Sequence, residues 1–377
     1  MTAVVPVSPD RAEPAAAAVP RRAAGDERGR AARQPGLGLR GLGLVIPIAV
    51  LLSLGAGSPE SSVVVLAPLV GFALPVVAMV AFWWEDWPGT QLRPSWSGWA
   101  DTVLIVVAAI VLTGVGQAIA GHLDLRGIFD PTPGPGHVPT FPDTLALAGA
   151  AFVAMLEVTL VSEGWPLRRI PRRAAGVAAL ALSWAIALLV YFTLVGVHPR
   201  AGSGLVERTG PVTGEDLGAV MVVIGAWQVW LFVAWRGWPL SEVDRRWLRL
   251  PAANALVIGG GVLTYVVAHG IGGMRPARVS AVAGATVAAG LVLGMLLDGW
   301  LRTRLSPARE RLVTLAGIVL LAAALAVLLT AYADGRHFSR AAPDEWVAHV
   351  GLNAIGVSVI LHVAIGRRWP FAIGGKP

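Results

Sequence analysis

Long apolar segments alternate with shorter polar stretches over most of the chain beyond residue 40. A helix needs about 20 apolar residues to cross the hydrocarbon layer of a bilayer. The pattern therefore predicts an all-α, polytopic integral membrane protein with about ten transmembrane helices. We place the ten spans at residues 41–57, 62–84, 100–121, 145–164, 174–197, 216–236, 252–272, 277–297, 312–332 and 345–366.

The chain before the first span has a different character. Residues 1–40 are rich in Ala, Pro and Arg and show no apolar period. Such a composition is typical of disorder, because it offers little apolar surface to bury. We therefore predict two parts, a disordered basic cytoplasmic tail over residues 1–40 and a ten-helix transmembrane domain over residues 41–377.

The distribution of basic residues predicts the orientation. If the tail is cytoplasmic, then the tail, the loops after the even-numbered spans and the C-terminus hold 23 of the 30 Lys and Arg residues. Cytoplasmic loops of membrane proteins carry such an excess, so both termini are predicted to be cytoplasmic. The opposite side holds the other seven basic residues, which are Arg126, Arg200, Arg208, Arg275, Arg278, Arg336 and Arg340.

Composition narrows the class of protein. Charged residues make up 14% of the chain, well below the share of about 25% in soluble domains. We attribute the formal charge of +7 to membrane topology and predict the lipid bilayer, not nucleic acid, as the partner. The absence of Cys excludes disulfides and thiolate metal sites. The strong preference for Arg over Lys is typical of a GC-rich bacterial genome, so we expect a bacterial cytoplasmic membrane.

A short motif recurs at the end of every even-numbered span. Its tryptophans are spaced by 78, 73, 62 and 69 residues, and a charged residue always lies two positions before the Trp. Such self-similarity predicts five helical hairpin repeats. Trp favours the headgroup level and Pro ends a helix, so we interpret the motif as a helix stop and anchor. The five stretches are EDWPG (85–89), EGWPL (163–167), RGWPL (236–240), DGWLR (298–302) and RRWPF (367–371).

Polar residues inside the spans are the candidates for a substrate or ion site, because burying them in lipid is costly. Glu157, past the midpoint of the fourth span, is predicted to carry a proton or bind a cation. The alternative is a neutral Glu that is hydrogen-bonded to a neighbouring helix. Gln117 and Gln228 are further candidates, and Gln228 is flanked by Trp227 and Trp230. Those two aromatic residues predict either a ligand pocket around the amide or packing against lipid.

Gly259, Gly260 and Gly261 lie close to the centre of the seventh span. Broken helices near the midplane form binding sites in many transporters. Consecutive glycines also allow close approach of another helix, which is the alternative. In the last span, His349 and Asn353 are four residues apart and share a face. They are predicted either to line a cavity reached from outside or to form a hydrogen bond between helices.

Histidines at the outer ends of the odd-numbered spans are weak candidates for metal ligands. Imidazole suits Zn²⁺ or Cu²⁺, but no pair has a compact spacing such as HxxxH. A site would therefore need convergence in the tertiary structure, and we predict none. The histidines concerned are His122, His198, His269 and His337.

Three short pieces resemble elements of the CAAX-type intramembrane proteases. EGWPLR (163–168) resembles their EExxxR, YVVAH (265–269) their aromatic-xxx-His element, and HVGLN (349–353) their HxxxN. Gly164 replaces the second Glu, which removes a carboxylate that such a site uses to activate water. The predicted topology also places Glu163 on the side opposite to both histidines. The chain as a whole is therefore not assigned to that family.

Three classes of function remain. A secondary carrier or permease for a small solute or ion predicts that Glu157, Gln228 and the three glycines surround one cavity. An enzyme acting on a lipid-phase or envelope substrate predicts that His269 meets His349 and Asn353. A non-catalytic scaffold, as a homo-oligomer or in a membrane complex, predicts neither arrangement. We favour the carrier, with its cofactor and coupling ion unknown.

Overall fold

The computed structural model describes residues 29, 31–132, 134, 137–198 and 204–371, and it is almost entirely helical. Two strands, β1 (Val195–Gly196) and β2 (Val212–Thr213), form a small parallel pair, and a short helix covers Leu125–Phe129. The long helices are α1 Gly36–Leu54, α2 Pro59–Trp83, α3 Pro94–Ala120, α4 Leu145–Val161, α5 Arg172–Leu194, α6 Gly214–Ala234, α7 Arg246–Ile271, α8 Pro276–Leu296, α9 Pro307–Asp334 and α10 Pro343–Ile365.

Nine of these helices, within the described part of the chain, are long and apolar enough to cross a membrane. The remaining helix, α4, is apolar but shorter. Each helix overlaps one of the predicted spans. The prediction of an all-helical, multi-pass membrane protein is confirmed.

The first helix differs from its predicted span. It begins at Gly36 rather than at residue 41, and Leu37 is buried. Gln34 is also buried and donates a hydrogen bond to the carbonyl of Leu296 at the end of α8. The residues before the span are apolar enough to continue the helix. Residues 1–28 and 30, which form most of the predicted tail, lie outside the described residues.

The even-numbered helices form the centre of the bundle. Helix α2 packs on α4, α4 on α6, α6 on α8 and α8 on α10, and α10 also contacts α2. In their most apolar stretches, 78, 50, 61 and 61% of the residues of α2, α6, α8 and α10 are buried, against 22–39% in the odd-numbered helices. The even-numbered helices therefore face protein on most sides, and the odd-numbered helices form the periphery.

Each odd-numbered helix contacts at least two even-numbered ones. Its buried face is a narrow stripe of mostly small residues spaced by four, which a helix aligns on one side. Small side chains allow the backbones to approach closely, as is usual between helices in membranes. The stripes are Ala175, Ala179, Ser183 and Ala187 in α5, Ala253, Val257 and Gly261 in α7, and Thr314, Ile318 and Ala322 in α9.

One end of the bundle carries the recurring tryptophan motif, and we call it the Trp-Pro end. Every even-numbered helix finishes there in a π-helical segment and is followed by one or two residues with positive φ. The four Trp-Pro peptide bonds are cis. A residue with positive φ is a common way to end a helix. The five stretches thus share a local geometry that stops the helix, as the motif predicts.

Ion pairs join the helices at the Trp-Pro end, and the sequence did not reveal them. They use the charged residue that precedes each Trp by two positions. Besides its part in the helix stop, this residue therefore links its helix to a neighbouring element by an ion pair. The pairs are Glu85 with Arg172, Glu163 with Arg249 (2.8 Å) and Arg246 (3.6 Å), Arg236 with Glu310 (2.9 Å) and Asp298 (3.1 Å), and Arg367 with Asp86 (2.8 Å).

Candidate functional site

A cavity lies in the centre of the bundle, between the five even-numbered helices. It has a volume of about 70 Å³, and every lining residue is apolar or a glycine. The sequence does not reveal it, because an apolar side chain that faces a void looks the same in sequence as one that packs against a neighbour. Each helix contributes to the wall, including Phe82 of α2, Phe152 of α4, Met221 of α6, Met295 of α8 and Leu352 of α10.

Glycine creates part of this space. At Gly225 on α6, a Cβ atom would meet no other atom within 4 Å. At Gly149 on α4, a Cβ would lie 3.3 Å from the Cβ of Met221, which is close contact. A larger side chain at Gly225 would therefore enter the cavity, while Gly149 brings α4 and α6 together.

Glu157 and Gln228 meet, but they do not line the cavity. Gln228 Nε2 donates to Glu157 Oε2 over 2.6 Å and to the carbonyl of Val153 over 3.0 Å. Gln228 is fully buried and Glu157 is partly buried in the seam between α4 and α6. Neither these two residues nor the three glycines line this cavity. Val153 and Leu156 occupy the cavity-facing side of α4 instead.

The glycine triplet does not break its helix. Helix α7 runs through Gly259, Gly260 and Gly261 as regular α-helix up to Tyr265. A Cβ at Gly260 would lie 3.0 Å from the indole of Trp227, and one at Gly261 would lie 2.5 Å from Ile224 Cγ1. Of the two alternatives, the structure shows the second, because close packing against α6 explains the last two glycines.

The triplet offers a matched pair of substitutions. We expect Gly261→Ala to lower the thermal unfolding midpoint, because the new methyl group overlaps Ile224. Gly259→Ala is expected to leave it unchanged or raise it, since no atom lies within 4 Å there and Ala favours helix by about 1 kcal/mol over Gly. Intrinsic fluorescence during heating of the purified protein in detergent measures both. Equal effects of the two substitutions would contradict this account of the packing.

Among the described contacts, His349 and Asn353 meet each other, whereas His269 meets neither of them. His349 Nε2 contacts the carbonyl of Leu52 over 2.9 Å, and His349 Nδ1 contacts Asn353 Nδ2 over 3.2 Å. Both side chains are buried, so they do not line a cavity reached from outside. Instead they form the alternative, a hydrogen bond between helices, here from α10 to α1. His269 is exposed and its Nδ1 contacts the carbonyl of Met274 over 2.8 Å.

Gln117 has a structural role. Its Nε2 donates to the carbonyl of Val138 over 2.5 Å, and its Oε1 accepts from the amide of Asp124 over 2.7 Å. Both ends of the amide are thus used to hold the loop between α3 and α4. In the structure the hydrogen-bonding groups of Gln117 thus face this loop.

The contacts of Asp124 in the same loop indicate that the stability of this loop depends on pH. Burial raises the pKa of Asp124, but hydrogen bonds from His137, Val138 and Gly127 together hold it below its ordinary value. Because the folded pKa is the lower one, the carboxylate stabilises the loop at neutral pH and ceases to do so as pH falls through that value. We expect hydrogen exchange at the Val138 amide, corrected for its intrinsic pH dependence, to accelerate in that range. Asp124→Asn should exchange fast already at neutral pH, and slow exchange in this variant would refute the assignment.

Metal ligation finds no support among the described residues, where no three His, Cys, Asp or Glu side chains are grouped to hold an ion. His122, His198, His269 and His337 therefore do not converge there. The three protease-like pieces do not converge in the described contacts either. Glu163 is engaged with Arg249 and Arg246 at the Trp-Pro end, while the two histidines bond as described above.

Comparison with known proteins gives no further guide to the site. No protein-family model, no curated protein and no solved structure matches this chain.

Proposed function

We propose that this protein is a membrane carrier for an apolar, lipid-soluble molecule, which it holds in the central cavity. The cavity itself is the observation that supports the proposal. Its volume of about 70 Å³ is several times the ~10–15 Å³ that a single water molecule needs. All five even-numbered helices contribute to the wall of the cavity. A shift of any one of them would therefore change access to the cavity.

The lining of the cavity selects the class of cargo. Its wall offers only apolar side chains and glycines. An ion or a strongly polar solute would lose its hydration there without gaining hydrogen bonds, at a cost of several kcal/mol. An apolar molecule would meet matching surface, as ligands of apolar protein cavities do. We therefore narrow the expected small solute or ion to an apolar cargo.

We also propose the finer architecture, in which five two-helix hairpins repeat around the cavity. The regular spacing of the tryptophan motif and the shared helix-stop geometry at the Trp-Pro end support it. The excess of basic residues at that end supports a cytoplasmic location for it and for both termini. On this arrangement α4 crosses the membrane together with the nine longer helices.

Photolabelling tests the binding site directly. The full-length protein is reconstituted in liposomes that contain a long-chain alcohol with a diazirine group, and labelled peptides are mapped by mass spectrometry after illumination. We expect labels on cavity residues such as Met221 and Phe152, besides those on the outward faces of the odd-numbered helices. Labels confined to the outward faces would overturn the proposal.

A further inference from the structure

The seam between α4 and α6 contains two buried oxygen atoms that lack a hydrogen-bond partner. They are Oε1 of Glu157 and Oε1 of Gln228, whose side chains are already joined by one hydrogen bond of 2.6 Å. Both atoms are acceptors when Glu157 is ionised, and buried acceptors are nearly always paired. One proton would satisfy both atoms at once.

We infer that Glu157 and Gln228 form a proton-binding site in which the neutral carboxylic acid is paired with the amide through two hydrogen bonds. Gln228 Nε2 donates to Glu157 Oε2, as observed. The acid proton on Glu157 Oε1 is donated to Gln228 Oε1. The pair then contains no unsatisfied oxygen and no net charge.

The surroundings favour a proton over a charged carboxylate. The charged side chains on the elements packed against Glu157 belong to the ends of the helices. An ionised Glu157 would therefore keep a charge in the interior with a single amide donor, which costs several kcal/mol. The residues concerned are Glu163 after α4, Arg172 and Arg173 of α5, Glu215 and Asp216 of α6, Arg236 after α6, and Arg246, Arg249 and His269 of α7.

The surroundings also favour a proton over a metal cation. A hard cation such as Ca²⁺ takes six or more oxygen ligands. Here the seam offers the two unpaired oxygens, and the nearby carbonyl of Val153 already accepts from Gln228. A proton needs only one donor atom and one acceptor atom, which this pair supplies.

The site is placed to act on the cavity wall. Val153 and Leu156 on α4, and Gly225 and Val229 on α6, line the cavity immediately beside the paired residues in sequence. Loss of the proton to water removes one of the two hydrogen bonds and leaves two buried acceptor oxygens without a donor. We therefore expect deprotonation to loosen the α4–α6 seam. In this role the proton is the coupling ion of the carrier, and that step rests on the proposed function.

Infrared spectroscopy of the full-length protein in lipid nanodiscs tests the site without any cargo. A protonated carboxylic acid has a carbonyl stretch that a carboxylate lacks. We expect this band in the wild type at neutral pH, its loss in Glu157→Gln and its shift in Gln228→Leu. Glu163→Gln is the control and should retain the band, because Glu163 is ion-paired at the Trp-Pro end.

The variants keep the result interpretable. Glu157→Gln can form the same two hydrogen bonds through its own amide, so the seam should remain folded. A wild-type spectrum without the band at neutral pH, or a band that disappears when sodium is added, would overturn the proton site. If the band is present but the cavity is never photolabelled, the proton site stands and the carrier proposal fails.

Discussion

Replacing Gly225 with leucine is expected to fill the central cavity, stabilise the protein and abolish photolabelling of the cavity residues. The new side chain has open space at its Cβ and is directed into the cavity. Burying a leucine side chain contributes ~1.5–3 kcal/mol to the free energy of unfolding. Replacing Gly, which disfavours helix, contributes about 1 kcal/mol more. We expect a higher thermal unfolding midpoint together with at least a tenfold loss of label at Met221 and Phe152.

Gly218 provides the matched control for this experiment. It lies on the same helix, two turns before Gly225, and its Cβ would also meet nothing within 4 Å. It does not line the cavity. Gly218→Leu should therefore increase the stability of the helix but leave the photolabelling at the wild-type level. If both variants lose the label equally, the cavity is not the binding site.

Arg368 is expected to be the most sensitive charged residue at the Trp-Pro end. It is buried, and its guanidinium donates to the carbonyls of Leu296 (2.8 Å) and Met295 (2.7 Å) at the end of α8. Each such hydrogen bond from a charged group contributes ~1.5–3 kcal/mol. We expect Arg368→Met to lower the free energy of unfolding by about 3–6 kcal/mol, the sum of the two bonds. Denaturation with sodium dodecyl sulfate in mixed micelles measures it.

Two further variants separate geometry from charge. Arg368→Lys keeps the charge but loses the planar fork that reaches both carbonyls, so an intermediate loss is expected. Arg302→Met removes an exposed arginine at the same end and should change the free energy by less than about 0.5 kcal/mol. A loss at Arg302 as large as that at Arg368 would show that net positive charge, not the two carbonyl contacts, stabilises this end.

The helices could be predicted from the sequence because lipid imposes a length and an apolar composition on each one. The tryptophan motif was interpreted correctly as a helix stop for a similar reason, since Trp, Gly and Pro act through local preferences. Neither inference requires knowledge of which helices are neighbours. The earlier start of α1 was missed because its surroundings come from a helix distant in sequence, where Gln34 donates to the carbonyl of Leu296 at the end of α8.

The polar candidates could be identified from the sequence, but their contacts in the folded protein could not. Glu157 and Gln228 were each identified, but their pairing depends on the rotation of α4 and α6, which no local pattern specifies. The contacts of Gln117 could not be predicted because its partners come from a loop. The glycine triplet was ambiguous because a broken helix and a close helix contact require the same residues. The cavity could not be predicted, because apolar residues that line a void have the same sequence pattern as those that pack against a neighbour.

The contacts of α1 imply an order of events during biosynthesis. Helices enter the membrane as the chain is made, yet α1 packs on α10. The indole of Trp346 donates to the carbonyl of Ser53, and His349 contacts that of Leu52, so the last helix completes the surroundings of the first. The even-numbered helices cannot complete their contacts around the cavity until α10 has been made. A chain that stops before α10 would keep one side of α1 and α2 open to lipid.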